Sequence, residues 1–463
     1  MPSIWLPRLM SATYGSTGFV SSWTTSGISW SKCRMDQIYN SATLTIVNAD
    51  TCCSNACIPG IEPDTRRSIQ HDETICGIRY ITTQSDPISE ILRTNWSTRG
   101  WTYQEVFLSS RCLVFTNYQS YFQCKSDVWC EDSCSNGGGM EEQNMCVGNA
   151  LCHLPELHPE MERCSFYQFV DAVEAFSRRL TLETDSLWAF TGVTKAFQPQ
   201  FPDGFTWGLP IGNIDAALPW KPRKCVSGLR AGLHAAILDS DMIRLPFPSW
   251  SWVSWGGGVQ FDTKCEDVKG LVEWHQPTQY AVNTADPFSA PWDELTDQLV
   301  EKCHSLTVMD ERALGFLRFT AASAVLEVEA MDSDFIKNCP SADPCLLAHI
   351  RTHAGKDLGF IQVTSSWLQS HDRKKCEFIL LSTKIENEES ETCRQDWVWE
   401  RGLGVSRGIE HMDGCKHQST YNIMLIDWKE GPHCTVATRV GITQINKKDW
   451  EELESTSKLI VLG

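Results

Sequence analysis

Apolar residues in the first third of the chain recur at helix and strand spacings. Met35, Ile38, Tyr39 and Ala42 are spaced for one face of a short helix. The apolar run at residues 42–50 follows at once and is typical of a buried β-strand. A cysteine-rich loop then runs to a Pro-Gly pair, which usually ends regular structure. A helix followed by a strand is therefore predicted before residue 60.

The same region contains further elements between residues 77 and 124. Residues 77–82 form a second predicted strand, and Thr98 is placed to cap a helix that ends at Leu108. The sequences RCLVF and SYFQC, separated by residues 116–119, predict a hairpin. This order of helices and strands predicts part of an α/β layer.

The middle of the chain contains the clearest helical pattern. One face of this helix is apolar: Phe166, Phe169, Val170, Val173, Phe176 and Leu180. A second helix is predicted to start near Thr184, with Leu187, Trp188, Phe190 and Val193 on its apolar face.

After Pro246 the pattern changes to apolar segments separated by polar loops, which predicts an antiparallel β region. The candidate strands are SWSWVSW, GLVEW, RFTAASAVLEVEA, LGFIQV, CEFILLST, YNIMLIDW, CTVATRVGITQI and KLIVLG.

The predicted fold is therefore a multi-domain α+β protein, in agreement with a length of 463 residues. We expect an α/β unit at 1–124, a cysteine-rich linker or loop at 125–165, a helical segment at 166–245 and a β-rich region at 246–463.

Composition narrows the classes of partner. The formal net charge is -18, and such a surface repels nucleic-acid phosphates and anionic lipid. No apolar run approaches the ~20 residues that a membrane-spanning helix needs. The first residues lack the basic and apolar regions of a signal peptide. We therefore expect a cytoplasmic protein that binds neither nucleic acid nor membrane.

Signatures of metal and nucleotide chemistry are missing from the sequence. Its 21 cysteines suggest reduced thiols, and the group Cys146, Cys152, His153, His158 and Cys164 lacks the paired spacing of a zinc site. No phosphate-binding glycine loop, H-E-x-x-H motif or G-x-S-x-G elbow is present. No metal and no resident cofactor is therefore predicted.

Three blocks carry a resemblance to a known family. They are RMDQIYNSATLTIVNAD from Arg34, RGWTYQEVFLSSRCLVFTNYQSYFQC from Arg99, and PSWSWVSWGG from Pro248. In this order they resemble the fungal heterokaryon incompatibility (HET) domain and the region that usually follows it. The family's opening strands, similar to "YxALSYxWG" and "WIDxLCIxQ", are not recognisable here. The resemblance therefore implies an N-terminally truncated HET domain.

The HET domain is in turn distantly similar to the TIR domain, some members of which cleave NAD with a helical W-C-x-x-E motif. Trp101 and Glu105 have the same spacing, which places both on one helix face. The resemblance implies that Glu105 is catalytic and stabilises the positive charge that develops on the sugar. It also implies that Arg99, Gly100, Trp101, Gln104 and Arg111 are motif residues, and that NAD is the substrate of such an enzyme.

Other interpretations of the same segment stay open. Arg99 and Glu105 could form a structural ion pair, and Trp101 could be a core residue. The family resemblance implies a role in fungal nonself recognition and programmed cell death. The mechanism is then an NAD-cleaving enzyme using Glu105, a non-catalytic module acting through a protein partner or self-association, or an inactive remnant.

Overall fold

The structure is a computed structural model. It describes residues 35–50, 57–61, 65–66, 71–82, 90–91, 93–124, 128–131, 165–176, 183–223, 227–229, 233–238, 241–261, 268–283, 306–330, 345–371, 374–384, 419–430 and 435–463.

Helices are short and concentrated in the first half of the described chain. In order they are α1 (Met35–Ser41), α2 (Gly100–Leu108), α3 (Ser165–Ala175), α4 (Trp188–Phe197), α5 (Ile214–Ala217), α6 (Ser365–His371) and α7 (Lys447–Glu451). The predicted apolar spacing gives α1, α3 and α4 as expected, and Leu180 lies outside the described residues. The predicted start near Thr184 is instead a 3₁₀ turn, Glu183–Asp185, before α4.

The N-terminal unit contains a four-stranded sheet. The strands of this unit are β1 (Thr45–Asn48), β2 (Asp72–Ile75), β3 (Ile78–Ile81), β4 (Arg111–Phe115), β5 (Ser120–Cys124) and β6 (Val128–Cys130). The sheet order is β1-β4-β5-β6; β1 and β4 are parallel, and the other pairs are antiparallel. The predicted hairpin β4–β5 is confirmed. The strand predicted at residues 77–82 instead pairs with β2 in a separate, exposed hairpin.

The middle of the chain is not helical throughout. Its strands are β7 (Phe205–Thr206), β8 (Leu209–Pro210), β9 (Lys221–Pro222), β10 (Ser227–Leu229), β11 (Leu233–Leu238) and β12 (Asp241–Pro246). The helical part of the segment predicted at 166–245 therefore ends with α5, and short strands follow. β11 and β12 alternate only weakly in polarity, which explains why they were not predicted.

The C-terminal region is rich in strands, as predicted. Its strands are β13 (Trp255–Gly256), β14 (Val259–Gln260), β15 (Val268–Gly270), β16 (Glu273–Trp274), β17 (Gln279–Asn283), β18 (Leu306–Asp310), β19 (Leu317–Ala330), β20 (Cys345–Arg351), β21 (Asp357–Thr364), β22 (Lys374–Lys384), β23 (Thr420–Glu430), β24 (Thr435–Asn446) and β25 (Thr456–Leu462).

Five of these strands close into a ring. The long strand β19 pairs with β22 through one stretch and with β25 through another. From β22 the path continues through β23 and β24 to β25, which returns to β19. Closure leaves these strands without a free edge over the paired residues.

Apolar side chains cover both faces of this ring. Along β22, Phe378 and Leu380 pack in one core, while Ile379 and Leu381 pack in a second. The second core continues through α3 and α4 to Tyr103 of α2. Helices α2, α3 and α4 therefore share this second core with one face of the ring.

The segment predicted as the strand SWSWVSW is not a strand. It forms a turn and a 3₁₀ helix, Trp252–Ser254, and only Trp255 begins a two-residue strand. The reason is hydrogen bonding: Trp250 Nε1 donates to Gly315 O at 2.8 Å, and Trp252 Nε1 donates to Gly208 O at 2.7 Å. Trp255 Nε1 donates to Ser249 O at 2.9 Å. These indoles bind backbone carbonyls instead of following a strand period.

Candidate functional site

The candidate site is on α2, the helix that contains Trp101 and Glu105. The helix begins at Gly100, and its N-cap residue is Arg99, whose side chain makes no capping bond. Thr98 is therefore not the cap; its hydroxyl donates to Asn95 O at 2.9 Å. Instead, the Thr102 hydroxyl lies 2.7 Å from Trp96 O and 2.7 Å from Arg99 O, which ties the first turn to the preceding loop.

Glu105 is buried where α1 packs on α2. Glu105 is 6% exposed, and its carboxylate accepts a hydrogen bond from the Tyr39 hydroxyl of α1. Burial, followed by the charge and the hydrogen bond of Glu105, raises the pKa of Tyr39 above its ordinary range, while the charge of Arg99 opposes this. Tyr39 is therefore a neutral donor to a buried acceptor.

A thiol of the sheet adjoins the same carboxylate. Burial raises the pKa of Cys112 on β4 to about 12, the Ser109 hydroxyl lowers it, and the charge of Glu105 raises it further. Ser109 also lies 2.6 Å from the Thr45 hydroxyl of β1. At neutral pH, Cys112 is therefore a protonated thiol and a poor nucleophile.

The other residues predicted for the site are not gathered around Glu105. Trp101 is partly buried and packs against the apolar core shared by α3 and α4. Arg111 is exposed, and its guanidinium reaches Thr43 O only at 3.5 Å. Arg99 is also exposed, although its charge acts on Tyr39.

Gln104 lies on a different face of α2, against α4. It is 1% exposed, and its Nε2 has no hydrogen-bond partner among the described residues. A side-chain carbon added at Gly192 of α4 would lie 2.6 Å from Gln104 Oε1 and 2.7 Å from Leu108 Cδ1. The absence of a side chain at Gly192 therefore lets the two helices approach, and Gln104 fills that contact. Gly100 is buried at the start of the helix.

A second buried carboxylate, which the sequence did not single out, lies near the same sheet. Glu90 is 5% exposed and accepts a hydrogen bond from the Tyr121 hydroxyl at 2.7 Å. Burial and this hydrogen bond raise the pKa of Tyr121 above its ordinary range. Tyr121 is on β5, so Glu90 and Glu105 are both held by a tyrosine from a neighbouring element.

The carboxyl ends of the parallel strands β1 and β4, where α/β sheets usually bind ligands, are bridged by a polar contact. Asn117 N donates to Asp50 Oδ2 at 2.7 Å, and Thr116 closes the turn after β4 through Gln119. This contact joins the loops that follow the two strands.

In the described parts of the chain, no three His, Cys, Asp or Glu side chains lie close enough together to hold a metal ion. The candidate group Cys146, Cys152, His153, His158 and Cys164 lies outside the described residues. No helix in the described ranges is long and apolar enough to cross a bilayer.

Comparison with known proteins gives one match. Residues 29–105 match the family model "Heterokaryon incompatibility protein (HET)". The similarity is confined to this part of the chain, and we call residues 29–105 the HET segment after the family model that they match. No curated protein and no solved structure shows significant similarity to the chain. The match contains α1, β1, β2, β3 and the part of α2 from Gly100 to Glu105, so Tyr39 and Glu105 both lie inside the HET segment.

The HET segment therefore contains the whole first block, from Arg34 to Asp50, but only residues 99–105 of the second block. It ends at Glu105, before the hairpin β4–β5, and it does not reach PSWSWVSWGG. The sequence feature that could have indicated the partner of Glu105 is Tyr39, a tyrosine among the apolar residues on one face of α1. No sequence pattern marked Glu90.

Proposed function

We propose that this chain is a heterokaryon-incompatibility-type signalling protein of a fungus, and that its N-terminal unit, which contains the HET segment, acts through protein association rather than catalysis. The family match supports the class of function. The observation that carries the mechanism is the placement of Glu105, which is 6% exposed and bound to Tyr39.

This placement gives Glu105 a structural role. A carboxylate that has lost its water needs a donor, and the Tyr39 hydroxyl supplies one from the opposite helix. The pair then fixes the angle at which α1 lies on α2. In this proposal, Glu105 shapes the unit, and the surface of the unit binds a partner or a second copy in nonself recognition leading to cell death.

A second candidate function is NAD cleavage by Glu105. The observation in its favour is that Trp101 precedes Glu105 by one turn and the carboxylate is removed from water, where it would stabilise a developing cation more strongly than in solvent. For this enzyme the substrate would need a route to a carboxylate that Tyr39 now contacts.

Cell viability and NAD content separate the two functions. The whole chain is induced in fungal cells, and the native chain is compared with Glu105→Gln, whose amide oxygen still accepts from Tyr39. We expect equal loss of viability in both, with NAD unchanged until the cells die. Loss of killing together with loss of NAD consumption in Glu105→Gln, at an unchanged thermal unfolding midpoint, would instead establish the enzyme.

A matched control uses a glutamate on the exposed hairpin β2–β3. Glu73→Gln removes the same charge from an exposed position of the same unit. It should behave as the native chain in both assays. An effect of Glu73→Gln equal to that of Glu105→Gln would assign the result to net charge and not to the site.

A further inference from the structure

The open face of the four-stranded sheet carries an apolar stripe. Register places Ile46 beside Leu113, Leu113 beside Phe122, and Phe122 beside Trp129, so one row crosses all four strands. Ile46 is 44% exposed and Trp129 is 38% exposed, while Leu113 and Phe122 are intermediate. The Phe122 and Trp129 rings lie 5.3 Å apart. We call these four residues the stripe.

The opposite face of the sheet is buried in the usual way. Val47, Cys112, Val114 and Tyr121 point to that side and pack with Val106 of α2. An α/β sheet is normally covered on both faces, so a half-exposed apolar row on the second face indicates a contact surface.

The direction of the stripe indicates what covers it. A helix on an α/β sheet lies roughly along the strands and needs apolar side chains repeated along them. Here the residues next to the stripe along the strands are Arg111 and Cys124 at one end, and Asn48 and Ser120 at the other. Phe115, on the same face, is already buried. A row with one apolar residue per strand offers a helix no such repeat, whereas a second copy of the same sheet can place an identical row against it.

Charged side chains on the two sides of the stripe indicate that the covering sheet belongs to a second copy of this chain. Arg111 is exposed on one side. On the other, Glu131 accepts from Ser120 N at 3.0 Å and pairs with Arg66, and the carboxylate is the more exposed partner, at 49% against 24%. A two-fold axis along the stripe reverses the strands of the second copy. Each Arg111 then faces the Glu131 side of the other copy, and each stripe residue faces its own counterpart.

We propose that two copies of the chain associate face to face through Ile46, Leu113, Phe122 and Trp129. The geometry comes from the sheet alone. Only the use of the dimer in signalling rests on the proposed function.

Sedimentation of the purified full chain over a range of concentrations tests the surface. The native chain should form dimers, and Trp129→Glu should weaken association at least ~100-fold, because two carboxylates would meet in an apolar contact. Val325→Glu is the control: Val325 is 56% exposed on β19, away from the stripe, and its variant should associate as the native chain does. An unchanged thermal unfolding midpoint confirms that each variant is folded.

A charge-exchange experiment tests the two-fold arrangement. Ile46→Lys and Ile46→Glu should each be monomeric alone, since like charges then face one another. An equal mixture should recover dimers, now containing one chain of each kind. Failure of the mixture to associate would overturn the proposal, as would a native chain that is monomeric throughout or a Val325→Glu chain weakened equally.

Killing assays on the same variants keep the two proposals separate. A native chain that kills cells but never dimerises overturns the surface and leaves the proposed function standing. A dimeric native chain together with a monomeric Trp129→Glu chain supports the proposed dimer surface. If that monomeric chain still kills, self-association is not needed for killing and is removed from the proposed function.

Discussion

The four-stranded sheet of the N-terminal unit and the ring of five strands differ in how their faces are covered. Alternate residues of β22 enter two separate apolar cores, so the ring is covered on both sides. The N-terminal sheet buries one face against α2 and leaves the stripe half-exposed on the other. The ring is thus built as a scaffold, whereas the N-terminal unit retains a surface for contact.

The two regions also differ in the partners of their buried polar groups. Around Ser249, the hydroxyl and amide both donate to Gly463 O, and the Arg439 amide donates to the Ser249 hydroxyl at 2.8 Å. The buried Arg439 guanidinium donates to Leu218 O and Trp220 O and lies 3.6 Å from the centre of the Trp220 ring. In the N-terminal unit, by contrast, buried carboxylates are each held by a tyrosine from another element. Changes there should cost less stability than changes in the scaffold.

The largest expected effect is on the scaffold. Trp250→Ala removes a fully buried indole and its hydrogen bond to Gly315 O, and should lower the free energy of unfolding by about 3–5 kcal/mol. Trp129→Ala removes an indole that is 38% exposed and should cost less than about 1 kcal/mol. Urea denaturation measures both. Equal losses would contradict the difference between the two regions.

Within the N-terminal unit, Tyr39→Phe should have the next largest effect. It removes a donor from the buried Glu105 carboxylate and should destabilise the chain by about 2 kcal/mol. Tyr80→Phe, at a residue 54% exposed on β3, should change stability by less than about 0.5 kcal/mol. A double-mutant cycle with Glu105→Leu should show coupling. Strict additivity would mean that the hydroxyl and the carboxylate do not act together.

Alkaline pH should weaken the fold through the same tyrosines. Tyr39 and Tyr121 both have a folded-state pKa above the ordinary value of 10.0. Their contribution is fully present below pH 10, because both states are then protonated. Above pH 10 only the unfolded state loses the protons, so stability falls by about 1.4 kcal/mol per pH unit for each tyrosine. Denaturation at pH 9 to 11 measures how steeply the free energy of unfolding falls with pH. Tyr121→Phe should make this fall less steep. An unchanged slope would show that the pKa of Tyr121 is not raised in the folded state.

The smallest effect concerns the contact of α2 with α4. Gly192→Ala places a carbon 2.6 Å from Gln104 Oε1, a clash that helix propensity partly offsets, so the net cost should be about 1 kcal/mol. In a Gln104→Ala background the same change should cost less. Thermal unfolding of the four chains provides the measurement. If Gly192→Ala lowers stability more in the Gln104→Ala background, the added carbon does not clash with Gln104.

Local patterns in the sequence predicted much of the secondary structure. The spacing of Met35 and Tyr39 gave α1, that of Phe166, Phe169 and Val173 gave α3, and the alternation from residue 318 gave β19. Each of these elements buries one repeated face, so the period is visible without knowing its partner.

Features that depend on distant partners were not predictable. The ring closes only because β19 pairs with both β22 and β25, which lie far along the chain. Ile46 was expected to be buried because the residues around it are apolar, but it points to the open face of β1. Likewise, the pairing of Tyr39 with Glu105 depends on how α1 packs against α2, which neither local pattern contains.

Loss of viability in cells induced to express native, Glu105→Gln and Trp129→Glu chains tests the central claim most directly. The account predicts that Glu105→Gln kills as the native chain does, because the glutamine still accepts from Tyr39, and that the monomeric Trp129→Glu chain does not kill. The reverse result, with Glu105→Gln inactive and Trp129→Glu fully active at equal expression, would contradict it.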